Sequence, residues 1–146
     1  MTIAVESFMT RNPRCIDAST PISEAYRLMG QLDVRHLPVL LDGRLAGVVS
    51  QTDLLRLEAS LNISRSNAPV SDAMTPDPYV VEPRAHAARV ASEMSARKLG
   101  SAVVAEGNRV VGIFTTTDAL QAFASLLGRS VQEDRRAAFR SAGITD

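Results

Sequence analysis

Apolar residues in this chain gather into short runs of two periodicities, and the whole arrangement occurs twice. Leu37-Pro38-Val39-Leu40-Leu41 and Leu45 to Val49 are compact apolar stretches on either side of Asp42-Gly43, a turn signal that predicts a strand hairpin. Upstream, Ile22, Ala25, Tyr26, Met29 and Leu32 recur at helical spacing and predict one apolar helix face. Thr20-Pro21 in front of them predicts an N-cap and a first helical residue, with Glu24 in the first turn. Cys15-Ile16 predicts a brief strand before that helix, and Thr52 to about Leu61 a second helix after the hairpin. The first half therefore reads strand, helix, strand, strand, helix, led in by the apolar segment Val5 to Met9.

The second half repeats this order. Tyr79-Val80-Val81 predicts the short strand, and His86 to Arg97 a helix with Ala87, Val90, Ala91 and Met94 on one face. Ala102 to Ala105 and Arg109 to Phe114 form a hairpin turning at Gly107-Asn108, and Thr116 to Leu127 a closing helix. Ala85 stands where the first half has Thr20, which predicts a weaker cap. At a constant, ungapped offset of 65, Val5 meets Val70, Met9 meets Met74, Thr10 meets Thr75, Pro13 meets Pro78, Met29 meets Met94 and Gly47 meets Gly112. Such clustering at one offset marks a tandem duplication. The expected organisation is a first repeat over 5–61, a linker over 62–69, a second repeat over 70–127 and a helical tail over 128–146. In the tail, Ser130-Val131-Gln132-Glu133 has capping-box form and predicts a new helix that Gly143 ends. Arg129, Arg135, Arg136 and Arg140 make that helix basic; a solvated face and a nucleic-acid contact surface are both compatible with this.

Composition narrows the classes. Each repeat alone has roughly 55 ordered residues and buries too little surface to stand comfortably, so the two are expected to pack as one unit. Sixteen basic and sixteen acidic residues give a formal net charge of zero, which removes the bulk electrostatic case for nucleic acid or an anionic membrane. One cysteine excludes an internal disulfide. No apolar run approaches the ~20 residues of a membrane span. The N-terminus lacks the basic and apolar regions of a signal peptide, so a cytoplasmic, soluble protein is expected.

The chemistry sits in a motif present in both halves. Gly47-Val48-Val49-Ser50-Gln51-Thr52-Asp53-Leu54-Leu55 recurs as Gly112-Ile113-Phe114-Thr115-Thr116-Thr117-Asp118-Ala119-Leu120. Each copy puts a hydroxyl residue and a carboxylate together at a strand-to-helix turn. A hydroxyl three residues before an acid is a helix-capping signature and needs no ligand, although Asp closes the reciprocal cap less naturally than Glu or Gln. The same pair also suits a nucleoside. One carboxylate accepts hydrogen bonds from both vicinal hydroxyls of a ribose, while a helix N-terminus with free N–H groups favours phosphate oxygens. Capping and ligation are compatible in one motif.

The tandem units, the Met-Thr-x-x-Pro segments that lead into them, Leu37-Pro38-Val39 before Asp42-Gly43, and the doubled Gly-apolar-apolar-[Ser/Thr]-x-x-Asp together resemble a pair of cystathionine β-synthase (CBS) domains, from about Val5 to Phe123. The resemblance implies an α+β fold of two β-α-β-β-α repeats packed as a pseudo-twofold (Bateman) module with facing sheets, plus a C-terminal helix. It also implies adenosine ligands such as AMP, ADP, ATP or S-adenosylmethionine in clefts between the repeats, no covalent cofactor, and pairing into disc-shaped homodimers. Carried onto this chain, it groups Asp53 and Ser50 with the Cys15-Ile16 strand in one cleft. Asp118 and Thr115 go with the Tyr79-Val80 strand in the other. Arg35 and His36 stand where the family often places basic residues that reach phosphates; a solvated turn before a strand is the plain alternative. The chain departs from the family in carrying Thr52 and Thr117 before the motif Asp, where many members have Arg, and Gly100-Ser101 in place of Arg35-His36. The two clefts are therefore expected to differ in phosphate affinity.

Other candidates carry less. His36 and His86 have no Cys or carboxylate at ligand spacing, so no metal site is expected. Cys15 reads as a small core residue rather than a nucleophile. No Gly-rich phosphate loop or Ser/His/Asp set is present. The expected function is a regulatory sensor of adenosine ligands acting on a protein partner without catalysis; the alternative is a dimerisation scaffold with non-binding clefts.

Overall fold

A computed structural model describes residues 2–61 and 67–141, with side chains for 2–60 and 67–128. The strands are β1 (Thr10–Arg11), β2 (Ile16–Asp17), β3 (His36–Leu41), β4 (Arg44–Ser50), β5 (Thr75–Pro76), β6 (Val80–Val81), β7 (Ser101–Glu106) and β8 (Arg109–Thr115). The helices are α1 (Ile22–Leu32), α2 (Gln51–Leu61), α3 (Ala87–Arg97) and α4 (Thr116–Ser141). The α+β class and the two-repeat order expected from the sequence are both present. Asp42 and Gly43 turn the first hairpin at φ 52° and 77°, the left-handed values a tight strand hairpin requires.

The repeats are not self-contained. One sheet has the order β2-β3-β4-β5 and the other β1-β8-β7-β6, so the short strand that leads into each repeat joins the sheet of the other. β1 pairs antiparallel with β8, Thr10 opposite Ile113, and β5 pairs antiparallel with β4, Thr75 opposite Val48. The cores follow the same exchange. Val70, fully buried, belongs to the cluster of Ile16, Ile22, Met29, Leu37, Val39, Val49 and Leu54. Val5, equally buried, belongs to that of Val90, Met94, Ala102, Val104 and Phe114. Two short apolar repeats each lack one wall, and the neighbour's leading segment supplies it.

This exchange also caps the first helices, which corrects one expectation. Thr20 is not the N-cap of α1; Pro21 holds that position, with no side-chain cap. The Ile22 N–H instead donates to the Ala68 carbonyl at 2.9 Å, and the Thr20 carbonyl accepts from Val70 N–H at 2.8 Å. In the second repeat, Ala87 N–H donates to Ile3 and Val5 N–H to the Ala85 carbonyl, at 2.8 and 2.7 Å. A main-chain carbonyl thus takes the first free donor of each helix, a role for which the side chain at position 20 or 85 is not used. On α1 the buried face is Ile22, Ala25, Leu28 and Met29; Leu32, expected in that face, is 43% exposed.

The motif glycines are set by the exchange as well. A Cβ on Gly47 would lie 2.6 Å from the Thr75 carbonyl oxygen and 2.8 Å from the Met74 sulfur. One on Gly112 would run into the Met9 sulfur. The paired methionines and paired glycines of the repeat are contact partners across the repeat boundary. At the other end, the helix expected to begin afresh at Ser130 does not: α4 continues unbroken from Thr116 to Ser141 through Gly128. Gly128 has helical geometry there, so nothing terminates the helix at that point. The expected stop at Gly143 and most of the expected linker, including Ser64 and Ser66, lie outside the described residues. No helix among the described residues is long and apolar enough to cross a membrane.

Candidate functional site

Each motif stands where a hairpin strand runs directly into a helix. Ser50 ends β4 and caps α2; Thr115 ends β8 and caps α4. Reciprocal capping is complete in both copies. Ser50 N–H donates to Asp53 Oδ2 at 2.8 Å, and Asp53 N–H donates to Ser50 Oγ at 3.0 Å. The corresponding distances for Thr115 and Asp118 are 2.9 and 3.2 Å. Asp thus closes the box that Glu or Gln would be expected to close, because the strand end brings the carboxylate back over the first turn. The first helical N–H groups, of Gln51 and Thr116, donate to the carbonyls of Arg35 and Gly100 at 2.9 and 3.1 Å. That bond ties the start of each hairpin to the start of its second helix.

Both capped carboxylates still line clefts, Asp53 half-buried and Asp118 nearly buried. The first, about 630 Å³, is lined by Ser50, Thr52, Asp53 and Arg56 from the first repeat and by Thr75, Asp77, Pro78, Tyr79, Arg97, Lys98 and Ser101 from the second. The second cleft, about 540 Å³, is lined by Thr115, Thr116, Thr117 and Asp118, and by Thr10, Pro13, Arg14, Leu32, Asp33 and Val34. Arg35 and His36 line both.

This geometry reverses the expected grouping. Tyr79 shares a cleft with Asp53, not with Asp118, and the Pro13–Arg14 segment before Cys15 lies with Asp118. The cause is the strand exchange, which carries each leading segment onto the opposite sheet. Ile16 is buried in the first-repeat core, paired with Val39. Val80 pairs with Val103 and is 46% exposed. Cys15 is half-buried, its thiol 3.7 Å from the Pro13 carbonyl oxygen, and burial pushes the thiol pKa up. That direction disfavours the thiolate a nucleophile needs.

The two carboxylates differ in surroundings. Asp118 is 7% exposed and also accepts from Thr115 Oγ1 at 3.1 Å and from Thr10 Oγ1 at 3.3 Å to each oxygen. Asp53 is half-buried and accepts only the Ser50 N–H among the described residues. His36 lies between them. A Cβ on Gly100 would stand 2.9 Å from His36 Nε2, so the imidazole occupies the space that a side chain at Gly100 would need. Burial lowers its pKa below 6.5, Asp53 and Asp118 oppose that shift, and Arg35 adds to it. The ring is therefore neutral at pH 7.

The sequence reading missed Arg14, Arg56, Arg97 and Lys98. Arg97 and Lys98 lie at the repeat positions of Leu32 and Asp33, so carrying the offset two and three residues upstream of Arg35 finds them. Lys98 and Asp33 occupy the same left-handed helix end, at φ 56° and 53°. No cluster of metal-ligating side chains is present among the described residues.

Comparison with known proteins agrees with this architecture. The family profile described as CBS domain matches residues 5–60 and again 70–125. A Vibrio cholerae protein assigned to acetoin utilization (AcuB) is 33% identical, with 92% of this chain and 98% of that one covered, at a TM-score of 0.73. CBSX2, solved in complex with AMP, is 31% identical, with 84% and 97% covered, at a TM-score of 0.72. A homoserine O-acetyltransferase of Methanocorpusculum labreanum is 30% identical over 117 residues, or 78% of this chain, of which the chain spans only 23%. An inosine-5'-monophosphate dehydrogenase of Korarchaeum cryptofilum is 29% identical over 116 residues, 77% of this chain and again 23% of its own length. With the profile matched over both halves, and two exchanged repeats enclosing two clefts, the chain belongs to the CBS domain family and carries the domain as a tandem pair.

Proposed function

We propose that this protein is a regulatory module that binds adenosine-containing ligands in the two clefts and signals by a change in conformation, without catalysis. The observation that carries this reading is the pair of strand-end carboxylates, Asp53 and Asp118. Each is held by its own helix cap yet lines a cleft walled by both repeats. In this reading Asp53 and Asp118 accept the ribose hydroxyls, and Ser50 and Thr115 fix the carboxylates and offer further polar contacts. Arg35 and the helix N-termini meet phosphate where the ligand carries it. Tyr79 supplies an aromatic wall for a base in the Asp53 cleft. AMP in the related CBSX2 supports the ligand class; ADP, ATP and S-adenosylmethionine are the other candidates.

Both clefts are bounded by both repeats, so a bound ligand contacts both and favours whichever relative placement it fits better. The response is a population shift, limited by the difference in the ligand's affinity for the two states. A cytoplasmic partner protein reads that shift. Leu120, Phe123, Leu126 and Leu127 leave apolar surface exposed along α4, and Leu55 does so on α2; a second copy covering this surface makes the module a homodimer.

Calorimetric titration with AMP, ATP and S-adenosylmethionine tests the reading, on protein shown free of carried-over nucleotide. Micromolar binding by at least one ligand, weakened by Asp53→Ala or Asp118→Ala, is expected. Absence of heat with all three returns the protein to the scaffold alternative.

A further inference from the structure

The duplication provides an internal control, because each lining position of one cleft has a counterpart in the other. Most counterparts match in character: Thr75 and Thr10, Pro78 and Pro13, Asp53 and Asp118. The charged positions other than this acid pair do not. At the left-handed end of the first helix, Lys98 lines the Asp53 cleft and Asp33 the Asp118 cleft. One residue earlier, Arg97 lines the Asp53 cleft where Leu32 lines the Asp118 cleft. Arg56 lines the Asp53 cleft, while its counterpart Gln121 carries no charge. In the other direction Arg14 stands where Tyr79 does. The Asp53 cleft is thus lined by Arg35, Arg56, Arg97 and Lys98 against Asp53 and Asp77, a formal surplus of two positive charges. The Asp118 cleft has Arg14 and Arg35 against Asp33 and Asp118, which balance.

The surplus charge is also placed at the cleft wall. The Arg97 guanidinium lies 5.2 Å from the Tyr79 ring centroid and 3.7 Å from Glu93, contacts that hold it beside the aromatic wall. Arg35 reaches both clefts, but the repeat offers only Gly100 as its counterpart, so one guanidinium serves two sites.

We infer that the clefts take different ligand classes: the Asp53 cleft a phosphate-bearing nucleoside, and the Asp118 cleft a nucleoside without phosphate. This rests on the adenosine reading above and sharpens it. A phosphate in the Asp53 cleft meets four lining cations against two lining acids, with Arg97 paired outside the lining to Glu93, and these cations are able to form charge-assisted hydrogen bonds. In the Asp118 cleft the same phosphate meets a balanced set in which Asp33 repels it.

The test is titration of the full chain with AMP and with adenosine, in Asp118→Ala to isolate the Asp53 cleft and in Asp53→Ala to isolate the other. Circular dichroism confirms that both variants are folded. The Asp53 cleft is expected to prefer AMP over adenosine by about tenfold or more, the Asp118 cleft by no more than about threefold, given the ordinary strength of charge-assisted bonds. Raising salt is expected to shrink the first preference and leave the second in place. Arg97→Leu with Lys98→Asp rebuilds the Asp53 cleft in its sister's image and is expected to collapse its AMP-to-adenosine ratio to the smaller value. Equal preference in the two clefts, or the larger preference at Asp118, overturns this inference alone. Failure of wild-type protein to bind either AMP or adenosine overturns this inference; silence with ATP and S-adenosylmethionine as well overturns the adenosine reading with it.

Discussion

At the scale of single residues, His36 is the group whose surroundings make the sharpest demand. It lines both clefts, touches the space over Gly100 and is held neutral chiefly by burial, with Asp53 and Asp118 opposing. Its folded pKa is lower than its unfolded one, so below the ordinary value of 6.5 the unfolded chain binds more protons. Stability is then full above that pH and falls as pH drops toward the lowered folded value. Urea unfolding across this range should show a decline attributable to one proton, and His36→Gln should flatten it; an unchanged slope in the variant would assign the decline elsewhere. The glycines make a second demand. At Gly47 the obstacle to a Cβ is a main-chain oxygen, whereas at Gly112 it is a flexible methionine that can swing aside. Gly47→Ala should therefore cost about 2–3 kcal/mol and Gly112→Ala about 1 kcal/mol. Equal midpoint shifts in denaturant would contradict that ordering.

At the scale of elements, helix ends and helix continuity follow different rules here. α1 and α3 start on main-chain carbonyls of the segments that lead into the other repeat, Ala68 and Ile3, whereas α2 and α4 start on their own Ser50–Asp53 and Thr115–Asp118 pairs. The second pair of helices is thus anchored where ligands are proposed to bind, so loss of a motif acid carries a local structural cost as well. Asp53→Ala should lower stability by about 1 kcal/mol through the cap alone, and thermal unfolding without ligand measures this separately from affinity. The helices also carry glycines with open space around the missing Cβ. Gly30 in α1 and Gly128 in α4 meet nothing within 4 Å. Alanine at either position should add roughly 0.5–1 kcal/mol, read as a higher unfolding midpoint with unchanged ligand affinity.

At the scale of the whole molecule, the folding unit is offset from the sequence repeat. The sheet β2-β3-β4-β5 and its core need Val70 and Thr75, which lie beyond the first repeat. A fragment covering 2–61 omits these residues, while one covering 13–78 holds a complete sheet and core cluster. The second fragment should show the more cooperative unfolding by circular dichroism, although it is barely longer. Val70→Ala in the full chain should cost about 2 kcal/mol, because a fully buried side chain leaves a cavity between elements of different repeats. The same exchange brings residues distant in sequence, such as Asp53 and Tyr79, into one cleft.

Periodicity, turn chemistry and the constant offset were enough to read the element order, the duplication, the family and the acid–hydroxyl motifs directly from the chain. Those features are local, or repeat at one spacing, and local sequence expresses them. The partnership between elements was not legible. Two-residue strands such as β1 and β5 carry too little pattern to say which hairpin they join, so sequence alone groups Tyr79 with Asp118 whereas it lines the Asp53 cleft. The capping-box pattern at Ser130 predicts a fresh helix start, whereas the backbone of α4 runs through it unbroken. The missed cations Arg97 and Lys98 sit at a helix end far in sequence from the motif they join. They reach that motif only because folding sets the end of α3 and the start of α2 on one cleft. Covalent order alone carries spacing and periodicity; which strand edge a short segment reaches, and which charges then share a cleft, is set by packing between elements distant in the chain.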